Sequence, residues 1–517
     1  MDRHAVEPQR RGWPGLGRRP SSVTVEWAAV VALTLLALAL RLTGLDQSLF
    51  QDELATFRVV ADNDLDGVLA KVRGGGDTAG QTELTPPLSY VLFWLAVQFG
   101  EPTTWLRVPS LVLGTATVPL VHLLGRRTVG RNAGLLAAGL LALSPFALFY
   151  ANEARAYATM TFFVVLSTLA LLQAVDTRRP RWWVLYAVSA LAVIYTHYSG
   201  VFVVVAQAAW AFWAHRELIR ELLVVHAAMV VGYLPWVPFY FEQRDATSPD
   251  LVGLFYPISV ELVTRESLKV LPGAPHLPLR ELPGKPALAA FLITVGAALA
   301  ALALDVHRRR RRAFRPSKDV LLIAILAAAT PAAILVYSLI DTSLYLPRNL
   351  SASLPAILLL VAALLVRLPR QIALVAVALV VLSLAEGTLR FFEIENRKPE
   401  YRAAARFIDA NASPGDPVVE RTITFGTARA LTPRAQETST LRINFERRHL
   451  FPTSEGRAWE LALRGRTVFV VGPESSGFGL AGPPQELADR VKLVESRTFA
   501  GRVPVSVYAY SRRAAAG

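Results

Sequence analysis

The run VTVEWAAVVALTLLALALRL, residues Val23–Leu42, carries Glu26 near one end, Arg41 near the other and no charge between them. Twenty residues rising about 1.5 Å each reach about 30 Å, the thickness of a bilayer's hydrocarbon core, so the run reads as a transmembrane helix. Arg3, Arg10, Arg11, Arg18 and Arg19 precede it, which gives its direction: amino end in the cytoplasm, carboxyl end outside. Ala37-Leu38-Ala39 has the form of a signal-peptidase site, but the apolar stretch exceeds the roughly 7 to 15 residues of a signal-peptide core, and the helix is read as uncleaved.

Ten further apolar runs follow: Leu106–Leu124, Asn132–Tyr150, Ala156–Val175, Trp182–Tyr195, Gly200–Trp213, Leu222–Tyr240, Ala287–Leu304, Val320–Ile340, Leu350–Val366 and Ile372–Phe391. Threaded alternately, they put Arg126/Arg127/Arg131, Arg178/Arg179/Arg181, Arg216/Arg220, Arg308–Arg312 with Arg315 and Lys318, and Arg367/Arg370 on the side of the amino terminus. With the N-terminal five that makes 22 basic residues, against Arg155 and Arg348 alone in the short loops opposite. The bias fixes the expected topology, amino end in and carboxyl end out. Pro86–Phe99 is left out of the thread, because counting it would push every later arginine cluster outside; it is expected as an amphipathic helix at the outer interface.

The expected fold is therefore an α-helical polytopic membrane protein of about 11 transmembrane helices with a C-terminal extracytoplasmic α/β domain. A basic cytoplasmic terminus (1–22) leads into a membrane domain (23–391) whose first outer loop, 44–105, holds interfacial helices and whose second, 241–286, is read as a lid. From 392 to 517 the pattern changes to a helical stretch at Glu400–Ala410, β-branched runs at Thr467–Val471 and Val503–Tyr510, and turns such as Ser413-Pro414-Gly415-Asp416.

Composition narrows the classes. Over 517 residues 53% are hydrophobic and 18% charged, against about a quarter charged in soluble chains, which excludes a soluble enzyme. The net charge of +14 sits at the ends of apolar runs, where it orients helices, so no nucleic-acid partner is expected. With no cysteine, disulfides, thiolate metal sites and thiol nucleophiles are all excluded.

Charged residues at membrane depth are costly and tend to be functional, and the thread gathers them on one face. Asp52 and Glu53 follow the first span, Glu83 precedes Thr85-Pro86-Pro87, Glu153, Arg155 and Tyr157 follow the third, Tyr195-Thr196-His197-Tyr198 tops the fifth, and Tyr345 and Arg348 lie between the ninth and tenth; Arg41 closes the first. Several carboxylates, two arginines and aromatics outside the cell suit a phosphate-bearing donor and an acceptor that must lose a proton. Outside the cell there is no nucleotide-sugar supply, so such a donor arrives on a lipid: a polyprenyl-phosphate sugar.

Asp52-Glu53, Thr85-Pro86-Pro87-Leu88, Leu106-Arg107-Val108-Pro109-Ser110, Ser144-Pro145 leading to Tyr150-Ala151-Asn152-Glu153-Ala154-Arg155-Ala156-Tyr157, Tyr195-Thr196-His197-Tyr198 and Leu346-Pro347-Arg348 together resemble glycosyltransferase family 39 and related enzymes. That group includes protein O-mannosyltransferases and lipid A aminoarabinose transferases, with the membrane fold called GT-C. The resemblance spans residues 25 to 370, and Thr85 stands where many relatives have histidine. It implies inverting transfer of a sugar from a polyprenyl-phosphate donor to a hydroxyl of a glycan, protein or lipid acceptor at the outer face of the plasma membrane. Asp52 is then the base, with Glu53 supporting it and Glu153 the second acid; Arg155, Arg348 and Tyr345 hold the donor phosphate; Glu83, His197, Tyr157 and Arg41 contact substrate. Some relatives hold a divalent metal at the acids, so such a metal is an open expectation. The main rival is a lipid-linked sugar flippase or other transporter, which commonly carries charge near the midplane; here the middles of the spans are nearly free of it.

The chain's lack of cysteine makes the topology directly measurable. A cysteine placed beside position 52 is expected to react with a membrane-impermeant thiol reagent added outside intact cells, and one at position 310 only after permeabilisation; the reverse pattern would invert the thread.

Overall fold

Where the apolar runs predict helices, the computed structural model has them. It describes residues 22–50, 52–61, 63–75, 85–246, 256–308, 316–424, 427–430, 455–473 and 483–513. The membrane helices are α1 (Ser22–Leu42), α6 (Val108–Thr128), α7 (Arg131–Ala142) with α8 (Pro145–Ala151), α9 (Ala156–Thr177), α10 (Pro180–Thr196), α11 (Gly200–Ala214), α12 (Ile219–Tyr233), α15 (Lys285–Arg308), α16 (Lys318–Ile340), α17 (Leu354–Val366) and α18 (Arg370–Phe391). Between them lie α2 (Asp52–Val60), α3 (Leu65–Ala70), α4 (Leu88–Val97), α5 (Pro102–Trp105), α13 (Val237–Ala246) and α14 (Val260–Val270).

Against the expected count of about 11 spans, eight helical stretches among the described residues are long and apolar enough to cross a bilayer, or nine if the pair α7 and α8, bent by 59°, is one span. The bend has a local cause: Pro145 cannot donate to the preceding turn, and Ser144 Oγ accepts the Ala147 N–H at 3.2 Å, starting a new helix there. Helices α10 and α11 have 17 and 15 residues, about 25 and 22 Å, short of the hydrocarbon thickness. Because these two form a hairpin through His197-Tyr198-Ser199, counting both or neither leaves the direction of every later span unchanged. Gly200 permits the tight turn: a Cβ there would lie 2.4 Å from the Val193 side chain.

The described residues of the segment 44–105 form a small layer of helices with its own apolar core. Val59 and Val60 of α2, Val68 of α3, and Tyr90 and Phe93 of α4 pack with Leu49, Leu106 and Trp236. Helix α4, too short to cross, is apolar on all sides rather than amphipathic, with Phe93 buried and Leu95 exposed. The second outer segment is less of a loop than expected, since α13 extends to Ala246 and α14 occupies Val260–Val270.

Polar side chains sort to the two ends of the bundle. At the end carrying the arginine clusters, Arg127 bridges Asp176 and Asp319 at 2.6 Å each, and Glu26 meets His122 at 2.8 Å and Arg131 at 2.9 Å. The candidate site residues lie at the other.

Beyond α18 the chain forms a three-layer α/β domain. Strands β1 (Val418–Thr424), β2 (Thr427–Ala430), β3 (Val468–Pro473), β4 (Val491–Phe499) and β5 (Val505–Arg512) pair in the order β2-β1-β3-β5-β4, with β1 and β3 parallel and the other pairs antiparallel. Alternation along a strand explains the layering. Val418, Phe469 and Val471 meet α19 (Tyr401–Asn411), while Val419, Val468 and Val470 meet α20 (Glu455–Leu463) through Trp459. The α/β expectation stands.

Gly125 of α6 and Gly134 of α7 let those helices touch, a Cβ on Gly125 falling 2.4 Å from the Gly134 Cα. Small residues do this work in membrane bundles, where no hydrophobic force draws helices together. Gly134→Val is expected to destabilise the detergent-solubilised protein by about 1–3 kcal/mol, seen as a lowered Tm.

Candidate functional site

The adjacent acids of α2 part at once, because neighbouring helical residues point about 100° from each other. Glu53 turns inward with Thr56, one turn on, and is wholly buried; Asp52 stays 40% exposed at the helix start. Glu53 meets Arg107, itself wholly buried, in a two-pronged bond, Nε to Oε1 and Nη2 to Oε2, both at 2.7 Å. Its Oε1 also accepts the Ala154 N–H at 3.0 Å and its Oε2 the Lys398 ammonium at 2.7 Å. The Thr56 hydroxyl donates to the Ala154 carbonyl at 2.9 Å, so two residues of one face clamp the 153–155 turn to α2. Burial alone raises the Glu53 carboxyl, but Arg107 and Lys398 outweigh it and hold it down to about 2.

Asp52 faces the opposite way and meets Arg348 Nη1 at 3.1 Å across 296 residues of chain. Glu153 lies close by, 6% exposed. Its burial, with the negative charges of Glu53 and Asp52, outweighs the pull of Lys398 and Arg155 and pushes its carboxyl up to about 7. A carboxyl raised in this way is typical of groups that exchange protons in a reaction.

His197, in the turn between α10 and α11, packs its ring 5.4 Å from that of Tyr157. Burial, then the positive fields of Arg155 and Arg348, hold its imidazole down to about 3. Its Nδ1 accepts the Ser199 N–H at 3.2 Å, which puts the proton of the neutral ring on Nε2. Tyr157 continues to Tyr150, ring centroids 4.6 Å apart. Beneath this aromatic wall a small cavity is lined by Arg41, Tyr150, Tyr157 and Ser351. Arg41 is fully buried there; Nη1 donates to the Ala37 carbonyl, while Nε and Nη2 have no partner, nor have the hydroxyls of Tyr150 and Ser351.

Of the residues singled out from sequence, the structure brings together Asp52, Glu53, Glu153, Arg155, His197, Tyr157 and Arg348, with Arg41 below. Arg155 reaches Thr56 Oγ1 at 3.5 Å. Tyr345 is buried with its hydroxyl 2.9 Å from Ser267 on α14, a contact that ties the 341–346 segment to α14. Glu83 lies outside the described residues. Three site residues were not singled out: Arg107, Lys398 and Asn152, whose buried amide has neither oxygen nor nitrogen bonded. Lys398 had one faint signal, being one of 6 lysines in a chain with 48 arginines.

Glu53 does not fit a divalent metal, since it spends both oxygens on Arg107, Lys398 and Ala154. Among the described residues no group of three or more His, Cys, Asp or Glu side chains is placed to hold such an ion.

Comparison with known proteins agrees with this architecture. Residues 85–241 match the family described as dolichyl-phosphate-mannose-protein mannosyltransferase. Among solved structures, ArnT from Cupriavidus metallidurans in the apo state superposes with a TM-score of 0.52 at 14% identity, covering 94% of this chain and 98% of that one. The same protein bound to undecaprenyl phosphate gives 0.49 at 15% identity over 93% and 98%. The Archaeoglobus fulgidus oligosaccharyltransferase in its apo form gives 0.48 at 12% over 87% and 69%. No curated protein sequence matches. The likeness to apo ArnT establishes the fold over nearly the whole of both chains, and the resemblance drawn from the motifs stands.

Removing one member of a buried ion pair strands the other, at a cost of about 3–5 kcal/mol. Arg107→Ala is expected to lower stability by that order at pH 7. Because the Glu53 carboxyl is held down, its stabilisation is complete above its ordinary value of 4.5 and is lost as pH falls toward 2. The gap in Tm between wild type and variant should therefore narrow on acidification; a gap constant from pH 7 to pH 3 would refute the assignment.

Proposed function

On this GT-C fold, in a multi-pass membrane protein, we propose that the chain is a membrane glycosyltransferase. It moves a sugar from a polyprenyl-phosphate donor to an acceptor hydroxyl, with inversion, at the outer face of the plasma membrane. The observation that carries the reading is the Asp52–Arg348 contact at 3.1 Å. It sets a carboxylate able to accept a proton beside a guanidinium able to hold a phosphate.

The acceptor oxygen attacks the anomeric carbon from the side opposite the phosphate and gives its proton to Asp52, while the bond from that carbon to the phosphate oxygen breaks and its electron pair leaves on the lipid phosphate. Arg348 serves two partners in turn. Without donor it pairs with Asp52; an arriving phosphate competes for it and leaves the Asp52 carboxylate free to take the acceptor proton. Arg155 adds positive charge on the same side, and guanidinium groups match phosphate oxygens in pairs. His197, neutral with its proton on Nε2, offers one hydrogen bond without charge. Arg41, with two unpartnered nitrogens below the tyrosines, offers donors at a depth that a lipid-borne substrate reaches. Glu53 is a positioning residue, and Glu153 the acid whose poise near 7 suits proton exchange. The family matched by residues 85–241 draws on dolichyl-phosphate-mannose by its description, which supports the donor class.

In a reconstituted assay with a polyprenyl-phosphate sugar, Asp52→Asn is expected to lower turnover by about 10² to 10⁴ while the variant melts like wild type. Arg348→Ala should raise KM for donor more than for acceptor. Near-normal transfer by Asp52→Asn would remove Asp52 from the base role, and uptake of labelled donor without new glycosidic bonds would favour a transporter.

A further inference from the structure

The carboxylate cluster holds three acids, and its cations come from separate parts of the chain. Arg107 is spent on Glu53, and Arg348 meets Asp52. The remaining cation against Glu53 is Lys398, seven residues past the end of α18, where the C-terminal domain begins. Its ammonium lies 2.7 Å from Glu53 Oε2, and the side chain is 15% exposed. It sits 5.8 Å from the centre of the Phe149 ring, and of the charges around Glu153 it exerts the strongest attraction.

The segment bearing Lys398 is held by contacts that do not involve that ammonium. The Lys398 backbone N–H donates to Gln47 Oε1 at 3.2 Å, the Arg402 N–H to Ser48 Oγ at 2.9 Å, and the Arg402 guanidinium to the Asp46 carbonyl and Thr103 Oγ1 at 3.1 Å each. Arg397 approaches Asp46 at 3.4 Å. Farther on, the Arg502 guanidinium donates to the His276 carbonyl. The docked segment thus delivers one ammonium to a place it is anchored around.

We propose that Lys398 is a positioning residue of the transfer site, the built-in cation of the Glu53–Glu153 carboxylate pair. The inference rests on the glycosyltransferase reading above. Two consequences follow from the chemistry of an ammonium. It supplies fixed positive charge and hydrogen bonds without coordination, so transfer by this chain needs no added metal. It also comes from the C-terminal segment, so the site is complete only with that segment docked. The groups around Glu153 are Lys398 and Arg155 on the positive side, Glu53 and Asp52 on the negative, with the neutral Tyr150 beside them. Loss of Lys398 removes the largest attraction and leaves the carboxylates to repel one another.

The test is a reconstituted transfer assay with a polyprenyl-phosphate sugar, run on the full-length protein before and after treatment with a chelator. Wild-type turnover is expected to survive chelation. Lys398→Met should lower kcat about tenfold or more, with KM for donor changed less than about twofold and with the Glu153 limb of the pH profile moved to higher pH. Lys398→Arg, which keeps the charge, should recover most of the rate. Lys398→Gln is the second neutral variant should the methionine protein fail to fold, as judged by its melting curve. Activity of a folded neutral variant equal to wild type with an unmoved pH profile would overturn the assignment. So would wild-type activity lost on chelation and restored by a divalent cation. Absence of transfer by untreated wild type would instead overturn the glycosyltransferase reading itself, and this inference with it.

Discussion

A guanidinium and a carboxylate, both removed from water, hold one end of the helix bundle together. Burying such a pair costs several kcal/mol per ion and is sustained only when geometry and further hydrogen bonds are good. Arg107 meets that condition. Besides two bonds to Glu53 it donates to the carbonyls of Gln47 at 2.6 Å and Ser48 at 2.9 Å, and more distantly to that of Gly44 at 3.3 Å. One side chain thereby fixes the strand of loop that leaves α1, the start of α2 and, through Glu53 and the Ala154 N–H, the turn before α9. With Glu53 locked inward, the helix geometry leaves Asp52 facing outward to Arg348. The two acids that stand side by side in sequence divide into a buried and a half-exposed member by the angle between helical neighbours.

The membrane determines where such a site can lie. Spans tolerate little charge, so the polar side chains that carry chemistry gather at helix ends, where the backbone also becomes irregular. The break at Ser144-Pro145 and the turn at His197-Tyr198-Ser199 bring Tyr150, Tyr157 and His197 into one wall below the acids. Arg41 shares a cavity with Tyr150, and two of its nitrogens have no partner there.

The soluble domain is joined to this site more closely than its position after the last helix suggests. Its sheet is covered on both sides by α19 and α20 and forms separate apolar cores, as expected of an appended unit. Yet the segment leading into it threads along residues 46–48 and places an ammonium against Glu53. The electrostatics of Glu153 thus belong to two regions of the chain at once.

Much of this was legible in the residues. Hydrophobic runs located the membrane helices, and the arginine clusters told which ends share a side, because insertion responds to local length and charge. The same reasoning put Asp52, Glu153, Arg155, His197 and Arg348 on one face, and alternating β-branched residues marked β3 and β5. What the sequence left open were the pairings. Arg107 finds Glu53 across 54 residues, Arg348 finds Asp52 across 296 and Lys398 finds Glu53 across 345. The shortness of α10 and α11, by contrast, was visible, since the runs Trp182–Tyr195 and Gly200–Trp213 have 14 residues each. Periodicity fixes which face of a helix is apolar and which end is polar, but not which helices stand next to one another; that depends on the mutual packing of distant surfaces, which decided that Glu53 is paired with Arg107 in the interior and Asp52 with Arg348 nearer the surface.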